Sequence, residues 1–194
     1  VTPFGFGSDK VVAADYTGDG KTDVAVFRPA TGEWFVVRSE DASYYAVPFG
    51  QNGDIAAPGD FDGDRKADPA VFRPSTGVWY IQRSTGGVTI QSFGTSGDVP
   101  VVDNYDGDNK ADVAIWRPSS GEWWINRSAS GVFASQLGAP GDKPVNADFT
   151  GDGRADLPVY RPASGTWLIT RSENMSSYSL QFGANGDVPV AGDF

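Results

Sequence analysis

The chain repeats itself four times, and that periodicity restricts its fold more than any other feature. Arg-Pro pairs recur at Arg28-Pro29, Arg73-Pro74, Arg117-Pro118 and Arg161-Pro162, and a tryptophan follows six residues after each arginine (Trp34, Trp79, Trp123, Trp167). Asp-rich loops begin at Asp15, Asp60, Asn104 and Asp148, spaced 45, 44 and 44 residues apart. Phe-Gly pairs close the units at Phe49, Phe93 and Phe182, with Leu137-Gly138 as the variant. A unit of this period is one supersecondary element. It cannot bury its apolar face alone, so neighbouring units must stack.

One unit reads as four short strands. In the first, residues 10–14 lead into the acidic loop and 23–28 leave it. Residues 33–38 return after a Pro29-Ala30-Thr31-Gly32 turn, and 43–48 form the fourth strand. β-branched and aromatic residues fill these runs, proline presets the turn, and glycine supplies its left-handed position. No window shows helical periodicity of useful length. The predicted fold is therefore all-β: a β-propeller, or a segment of one, built from four four-stranded antiparallel blades of about 45 residues. We expect a single repeat domain over 1–194, with units at 4–48, 49–92, 93–136 and 137–181 and a partial fifth at 182–194. The repeated tryptophans, the aromatics before each arginine (Phe27, Phe72, Trp116, Tyr160) and the Phe of Phe-Gly are the expected packing residues between blades.

Phe4–Tyr16 and Phe182–Phe194 hold the same segment of the repeat. Three readings follow: a segment of a larger propeller, a small ring with a redundant terminal strand, or ends completed by another copy. The halt at Asp193-Phe194, just inside a fifth loop, points to a truncated array.

The loops carry the chemistry. Loop two runs Asp60-Phe61-Asp62-Gly63-Asp64-Arg65-Lys66-Ala67-Asp68, with carboxylates at positions one, three, five and nine. Calcium takes six to eight hard oxygen ligands, some from backbone carbonyls. Alternate positions of a tightly curled loop converge on one centre. Here Gly63 permits the turn, the Lys66 carbonyl serves at position seven while its side chain points to water, and Asp68 closes the shell bidentately. Loop one offers Asp15, Thr17, Asp19, the Lys21 carbonyl and Asp23; loop three, Asn104, Asp106, Asp108, the Lys110 carbonyl and Asp112; loop four, Asp148, Thr150, Asp152, the Arg154 carbonyl and Asp156. About four calcium ions are expected, with loop two tightest because it has the most charge. Thirteen of the 21 aspartates stand at these positions, and a cation relieves their mutual repulsion. The plain alternative is Asp/Gly turn chemistry without metal. An EF-hand is excluded, since no glutamate closes the loop at position 12 and no helices flank it.

The signature Phe-Gly…Gly-Asp…Gly-Asp-Phe-Asp-Gly-Asp-x-Lys-Ala-Asp resembles the FG-GAP/VCBS-type repeats, related to the calcium-binding blades of integrin α-subunits. The resemblance covers the whole chain. It implies a β-propeller with calcium in the loop between the first two strands of each blade. It also implies kinship with secreted bacterial adhesins, lectin-like proteins and modules appended to enzymes.

Composition narrows the function. The formal charge of −10 disfavours nucleic acid and anionic membranes as partners. Histidine and cysteine are absent, which removes zinc sites of the Cys/His type, disulfides and the usual nucleophile–base pairs. The four glutamates (Glu33, Glu40, Glu122, Glu173) show no paired spacing. No apolar run is long enough to insert in a membrane. Arg28, Arg73, Arg117 and Arg161 admit two readings, a ring facing a ligand or side chains that stack on a neighbouring tryptophan or pair with a loop carboxylate, and the second is favoured. The same weighting applies to Arg38, Arg83, Arg127 and Arg171, each followed by serine. Trp116 and Trp124, outside the repeated tryptophan position, are candidate sugar platforms.

The sequence thus predicts a non-enzymatic, calcium-binding propeller acting outside the cell as a binding or adhesion module for a glycan or extracellular protein. The alternatives are a lectin-like carbohydrate binder and a structural array that self-associates end to end through its matching termini. The compositional hint is to a secreted or surface protein of a bacterium.

Overall fold

The computed structural model describes residues 4–190. The acidic loop of the partial fifth unit, at 193–194, lies outside that range. Among the described residues there is no helix, and sixteen strands form four separate four-stranded antiparallel sheets. The first sheet holds β1 (Lys10–Val11), β2 (Val24–Arg28), β3 (Glu33–Val37) and β4 (Tyr44–Pro48). The second holds β5 (Ile55–Ala56), β6 (Ala70–Arg73), β7 (Val78–Gln82) and β8 (Val88–Ser92). The third holds β9 (Val99–Pro100), β10 (Val113–Arg117), β11 (Glu122–Arg127) and β12 (Gly131–Gln136). The fourth holds β13 (Lys143–Pro144), β14 (Leu157–Arg161), β15 (Thr166–Thr170) and β16 (Ser177–Gln181). In each sheet the strands follow chain order from one edge to the other, the meander of a propeller blade.

Local chemistry sets the register. Arg28 faces Glu33 and Val24 faces Val37 across the β2–β3 hairpin. Its turn closes through the Gly32 amide, which donates to the Arg28 carbonyl at 2.9 Å. Gly32 has φ of +71°, and a Cβ there would overlap the Gly50 carbonyl. Only glycine combines that dihedral with that clearance. The Gly32 carbonyl accepts from the Phe49 amide and the Trp34 indole donates to the Phe49 carbonyl, tying the Phe-Gly pair to the hairpin. The same arrangement recurs at Gly77, Gly121 and Gly165.

The first strand of each unit is shorter than expected, two residues rather than five. In the first three blades a single bridge nearer the acidic loop extends the pairing, as at Ala14–Asp23. The expected strands at 23–28, 33–38 and 43–48 are present within a residue at each end. The fourth strand alternates exposed and half-buried residues, as befits an edge.

The chain divides into two compact units, 1–96 and 97–194, each holding two blades. In the first unit Val12, Tyr16, Ala25, Phe27, Trp34 and Val36 of blade one pack with Val71 of blade two. Ala56, Ala67 and Tyr80 of blade two border that cluster. In the second unit Tyr105, Trp116, Trp123 and Ile125 of blade three meet Ala155, Leu157 and Val159 of blade four. Blade four adds a cluster of Val145, Tyr160, Trp167 and Ile169. Within each unit, one face of a blade thus covers the opposite face of the next. Phe27 and Trp34 of blade one and Trp116 and Trp123 of blade three fill this expected role, while Tyr160 and Trp167 pack within blade four and Phe182 is 73% exposed.

Candidate metal-binding loops

Each acidic loop spans the gap between the first and second strands of its blade. Two left-handed residues curl it. Position four is always glycine (Gly18, Gly63, Gly107, Gly151), and position six is Gly20, Arg65, Asn109 or Gly153, all with positive φ. The second of these positions was not singled out from sequence, although glycine or asparagine fills it in three loops.

Position one organises the backbone. Asp15 Oδ1 accepts from the Gly18 amide at 2.6 Å and Oδ2 from Gly20 at 2.8 Å. Asp60 does the same with Gly63 and Arg65, and Asp148 with Gly151 and Gly153. Asn104 keeps one of these bonds, from Gly107. Desolvation raises the pKa of Asp15 and Asp148, but the converging amides outweigh it and hold both carboxyls below the ordinary range.

Position nine is the buried end. Asp23, Asp68 and Asp156 have no exposed surface and Asp112 has 1%. In every loop one oxygen accepts from the amide at position two and the other from the serine after the third strand. For Asp23 these are Tyr16 at 2.9 Å and Ser39 at 2.7 Å; for Asp112, Tyr105 at 2.9 Å and Ser128 at 2.6 Å. Asp68 and Asp156 repeat it with Ser84 and Ser172. The same serines donate their hydroxyls to position five: Ser39 to Asp19, Ser84 to Asp64, Ser128 to Asp108 and Ser172 to Asp152. The serine of each Arg-Ser pair therefore clamps the loop to the β-hairpin turn beyond it. The recurrence of Arg-Ser was visible in the sequence, but its purpose was not.

Position three differs between loops, and the electrostatics follow. In loop two Asp62 stands beside Asp68. Burial, partly offset by the Ser84 and Phe61 amides and reinforced by Asp62, pushes the Asp68 carboxyl up to about 6. Burial likewise raises Asp112, with Asp106 adding to it. Asp60, Asp62 and Asp68 place oxygens within 4.8 Å of one another and form a group able to hold a metal ion. Loops one and four have threonine at position three, and loop three has asparagine at position one. Among the described residues they form no such carboxylate triplet. In loop three, Asp106 Oδ2 accepts from Ala129, while Oδ1 is buried without a hydrogen-bond partner among the described residues. A buried carboxylate oxygen with no donor is the kind of vacancy a hard cation satisfies. The donor set, all oxygen with no nitrogen or sulfur, suits calcium on the same ground.

Three expectations need correction. The Lys66 side chain does not stand clear in water: its stem lies on the backbone of Gly18, where a Cβ would meet Lys66 Cε at 2.9 Å, and the residue is half-buried. Trp116 is 1% exposed and belongs to the blade three core, so it presents no platform to a sugar. Trp124 is half-buried, with the Arg117 guanidinium over its ring at 5.7 Å and its indole donating to Glu122. The first arginine set pairs within the fold rather than with the acidic loops. Arg28, Arg73, Arg117 and Arg161 make two-pronged contacts to Asp9, Asp54, Asp98 and Asp142, each nineteen residues earlier. These aspartates close the turn after the Phe-Gly pair, preceded by glycine at Asp54, Asp98 and Asp142 and by Ser8 at Asp9. Their carboxyls are almost fully covered, while the guanidinium groups rest on Phe35, Tyr80 and Trp124 in the first three blades. Arg38, Arg127 and Arg171 stack on Tyr45, Phe133 and Tyr178.

Comparison with known proteins agrees with this architecture. The FG-GAP-like repeat family matches residues 104–159, which run from the third acidic loop into the second strand of blade four. No curated protein matches the chain in sequence. Among solved structures, virginiamycin B lyase from Staphylococcus aureus is similar at 10% identity and a TM-score of 0.60, over 88% of this chain and 55% of the lyase. An Agrocybe aegerita lectin that recognises non-reducing terminal N-acetylglucosamine is similar at 16% identity and a TM-score of 0.60, over 91% and 52%. BBS1N in complex with ARL6DN is similar at 14% identity and a TM-score of 0.55, over 90% and 54%. The chain spans about half the length of these structures, and at such identities the likeness is one of fold. What the chain shares with these structures is its fold of propeller blades; the FG-GAP-like match is to its own residues 104–159.

Proposed function

We propose that this chain is a calcium-stabilised set of propeller blades that serves outside the cell as a non-enzymatic binding or adhesion module. The observation that carries the reading is the acidic loop itself. Four copies share one backbone design, loop two gathers three carboxylates, and loop three buries a carboxylate oxygen that has no donor. In loop two, Asp60, Asp62 and Asp68 would hold the ion, with Asp64 and the Lys66 carbonyl completing the shell. The corresponding residues would do so in loops one, three and four. Calcium in this role is structural: it neutralises clustered carboxylates and locks the loop between two strands. Four ions would take the formal charge from −10 to −2.

The ligand class follows from exposed surface rather than from the loops. Propellers similar to this chain include one that recognises a sugar and one held in a complex with another protein. A glycan or an extracellular protein is therefore the proposed partner, with Trp124 the aromatic best placed for a sugar. A second reading, end-to-end assembly, is favoured by the uncovered face of blade one. There Phe4, Val24, Val26, Phe35 and Tyr44 line a cavity of about 540 Å³, and Val24 and Tyr44 are largely exposed. A glycan array and a sizing column, both run in calcium, separate the two. Sugar binding that is lost in Trp124→Ala supports the lectin-like form. Calcium-dependent polymers without any ligand support the array. A monomer that binds neither sugars nor extracellular matrix proteins would contradict the binding-module reading.

A further inference from the structure

We propose that the acidic loops take up calcium as coupled pairs, loop one with loop two and loop three with loop four, each pair linked through one shared peptide unit. The proposal rests on the calcium reading above and adds to it a communication between sites.

The link is the amide between positions seven and eight. In loop two this is the Lys66–Ala67 peptide. Its oxygen is the carbonyl that the loop pattern assigns to the cation. Its N–H belongs to Ala67 and donates to the carbonyl of Asp15, the first residue of loop one, at 2.7 Å. The second unit repeats the arrangement independently: the Ala155 amide donates to the carbonyl of Asn104, the first residue of loop three, at 2.8 Å. A trans peptide is planar, and its oxygen and hydrogen point in opposite directions. Fixing the oxygen on an ion in one loop therefore fixes the hydrogen on the first residue of its neighbour.

That first residue is the organiser of its loop. Asp15 holds the Gly18 and Gly20 amides, and Asn104 holds Gly107. The side chain at position seven adds a second contact in the same direction. The Lys66 stem covers Gly18, and the Arg154 side chain covers Gly107, with Nε 3.0 Å from where a Cβ would stand. These contacts lay the long side chains of Lys66 and Arg154 along the neighbouring loop of each pair, whereas Lys21 stays exposed with its ammonium 4.0 Å from Asp19 of its own loop. Asn104 also reaches across, its amide nitrogen donating to the Gly153 carbonyl at 3.4 Å.

Two forces oppose in sign. Filling one site reduces the negative field that attracts an ion to the other, which weakens the second binding. Ordering the shared peptide strengthens it, because the second loop then has less disorder to lose. A polarised carbonyl also makes its own N–H a stronger donor. The loops are solvent-facing, so salt screens the first effect, while the hydrogen bond is direct. The expected coupling is therefore positive. Allosteric couplings commonly change affinity by about 5–150-fold, and by thermodynamic linkage the factor is the same in both directions.

The test is a calcium titration of the full chain followed by amide NMR, with Gly18 and Gly20 reporting loop one, Gly63 loop two, Gly107 loop three and Gly151 loop four. In the wild-type chain, loops one and two are expected to titrate together along a sigmoidal curve. In Asp62→Asn, which leaves the buried Asp68 in place, the calcium midpoint of loop one should rise about fivefold or more while loops three and four keep theirs. In Asp19→Asn, loop two should weaken by the same factor. Independent hyperbolic curves in the wild type, or a loop one midpoint unchanged or lowered in Asp62→Asn, would overturn the coupling and leave the calcium sites intact. Loop amides that do not respond to millimolar calcium at all would overturn the calcium reading, and the coupling with it. The wild-type curves decide the matter even if a variant fails to fold.

Discussion

Replacing Arg73 with leucine is expected to destabilise the chain by about 3–5 kcal/mol, the cost of leaving a buried charge without its partner. Arg73 meets Asp54 through Nε at 2.8 Å and through a terminal nitrogen at 2.9 Å. The Asp54 side chain has no exposed surface, while Arg73 keeps 18% of its own. Water cannot take over the role of the guanidinium. The carboxylate also accepts from the Gln51 amide, so it cannot turn away without breaking the Phe-Gly turn. Arg73→Lys should cost less, since it keeps the charge but loses the fork and the stacking on Tyr80. In the Arg73→Leu background, Asp54→Asn should recover part of the loss, because asparagine keeps an acceptor for Gln51 without the charge. Denaturant unfolding measures all three. A loss below about 1 kcal/mol for Arg73→Leu would mean the pair behaves as a surface salt bridge.

The second large effect is expected at Asp23. Its two oxygens serve the Tyr16 and Ser39 amides from a fully buried position. Asp23→Ala removes both acceptors, and each orphaned donor costs about 1–3 kcal/mol. A total of about 3 kcal/mol corresponds to a fall of roughly 6–12 °C in Tm for a chain of this size. Measuring it in chelator isolates the hydrogen bonds from any ion. Asp41→Ala, in an exposed turn, is the control and should move Tm little. Equal effects for the two substitutions would show that the ninth position does not clamp the loop to the hairpin.

Both predictions concern features that the sequence shows only in part. The repeat, the strands and the acidic loops are legible because each is a local pattern: β-branched runs, Pro and Gly at turns, Asp at alternate positions. At Asp54, Asp98 and Asp142 the aspartate of the Phe-Gly turn is visible as a recurring Gly-Asp, though at Asp9 a serine precedes it. Its partner arginine lies nineteen residues on, and nothing in the intervening residues says that they meet. The same holds for Ser39 and its equivalents, which lie across a hairpin from the loops they cap. Trp116 misled for a related reason. It stands where the other repeats have Phe27, Phe72 and Tyr160, so its phase marks it as core, and its size suggested a platform. The Lys66 stem was assigned to water because a single loop, read alone, has nothing beside it. The neighbouring blade supplies Gly18. In a stacked repeat, the contacts missed are those between units, and they are also the contacts that position the loops.

Calcium holding the acidic loops is the central claim, and a thermal melt in calcium against one in excess chelator tests it directly. An ion at about 100 times its dissociation constant contributes about 2.7 kcal/mol, so several filled loops together approach the whole stability of a domain. The expected result is a rise in Tm of tens of degrees with calcium, and much less with magnesium, which prefers a rigid octahedral shell that keeps several waters. Coincident melts in calcium and in chelator would contradict the account and reduce the four acidic loops to hydrogen-bonded turns.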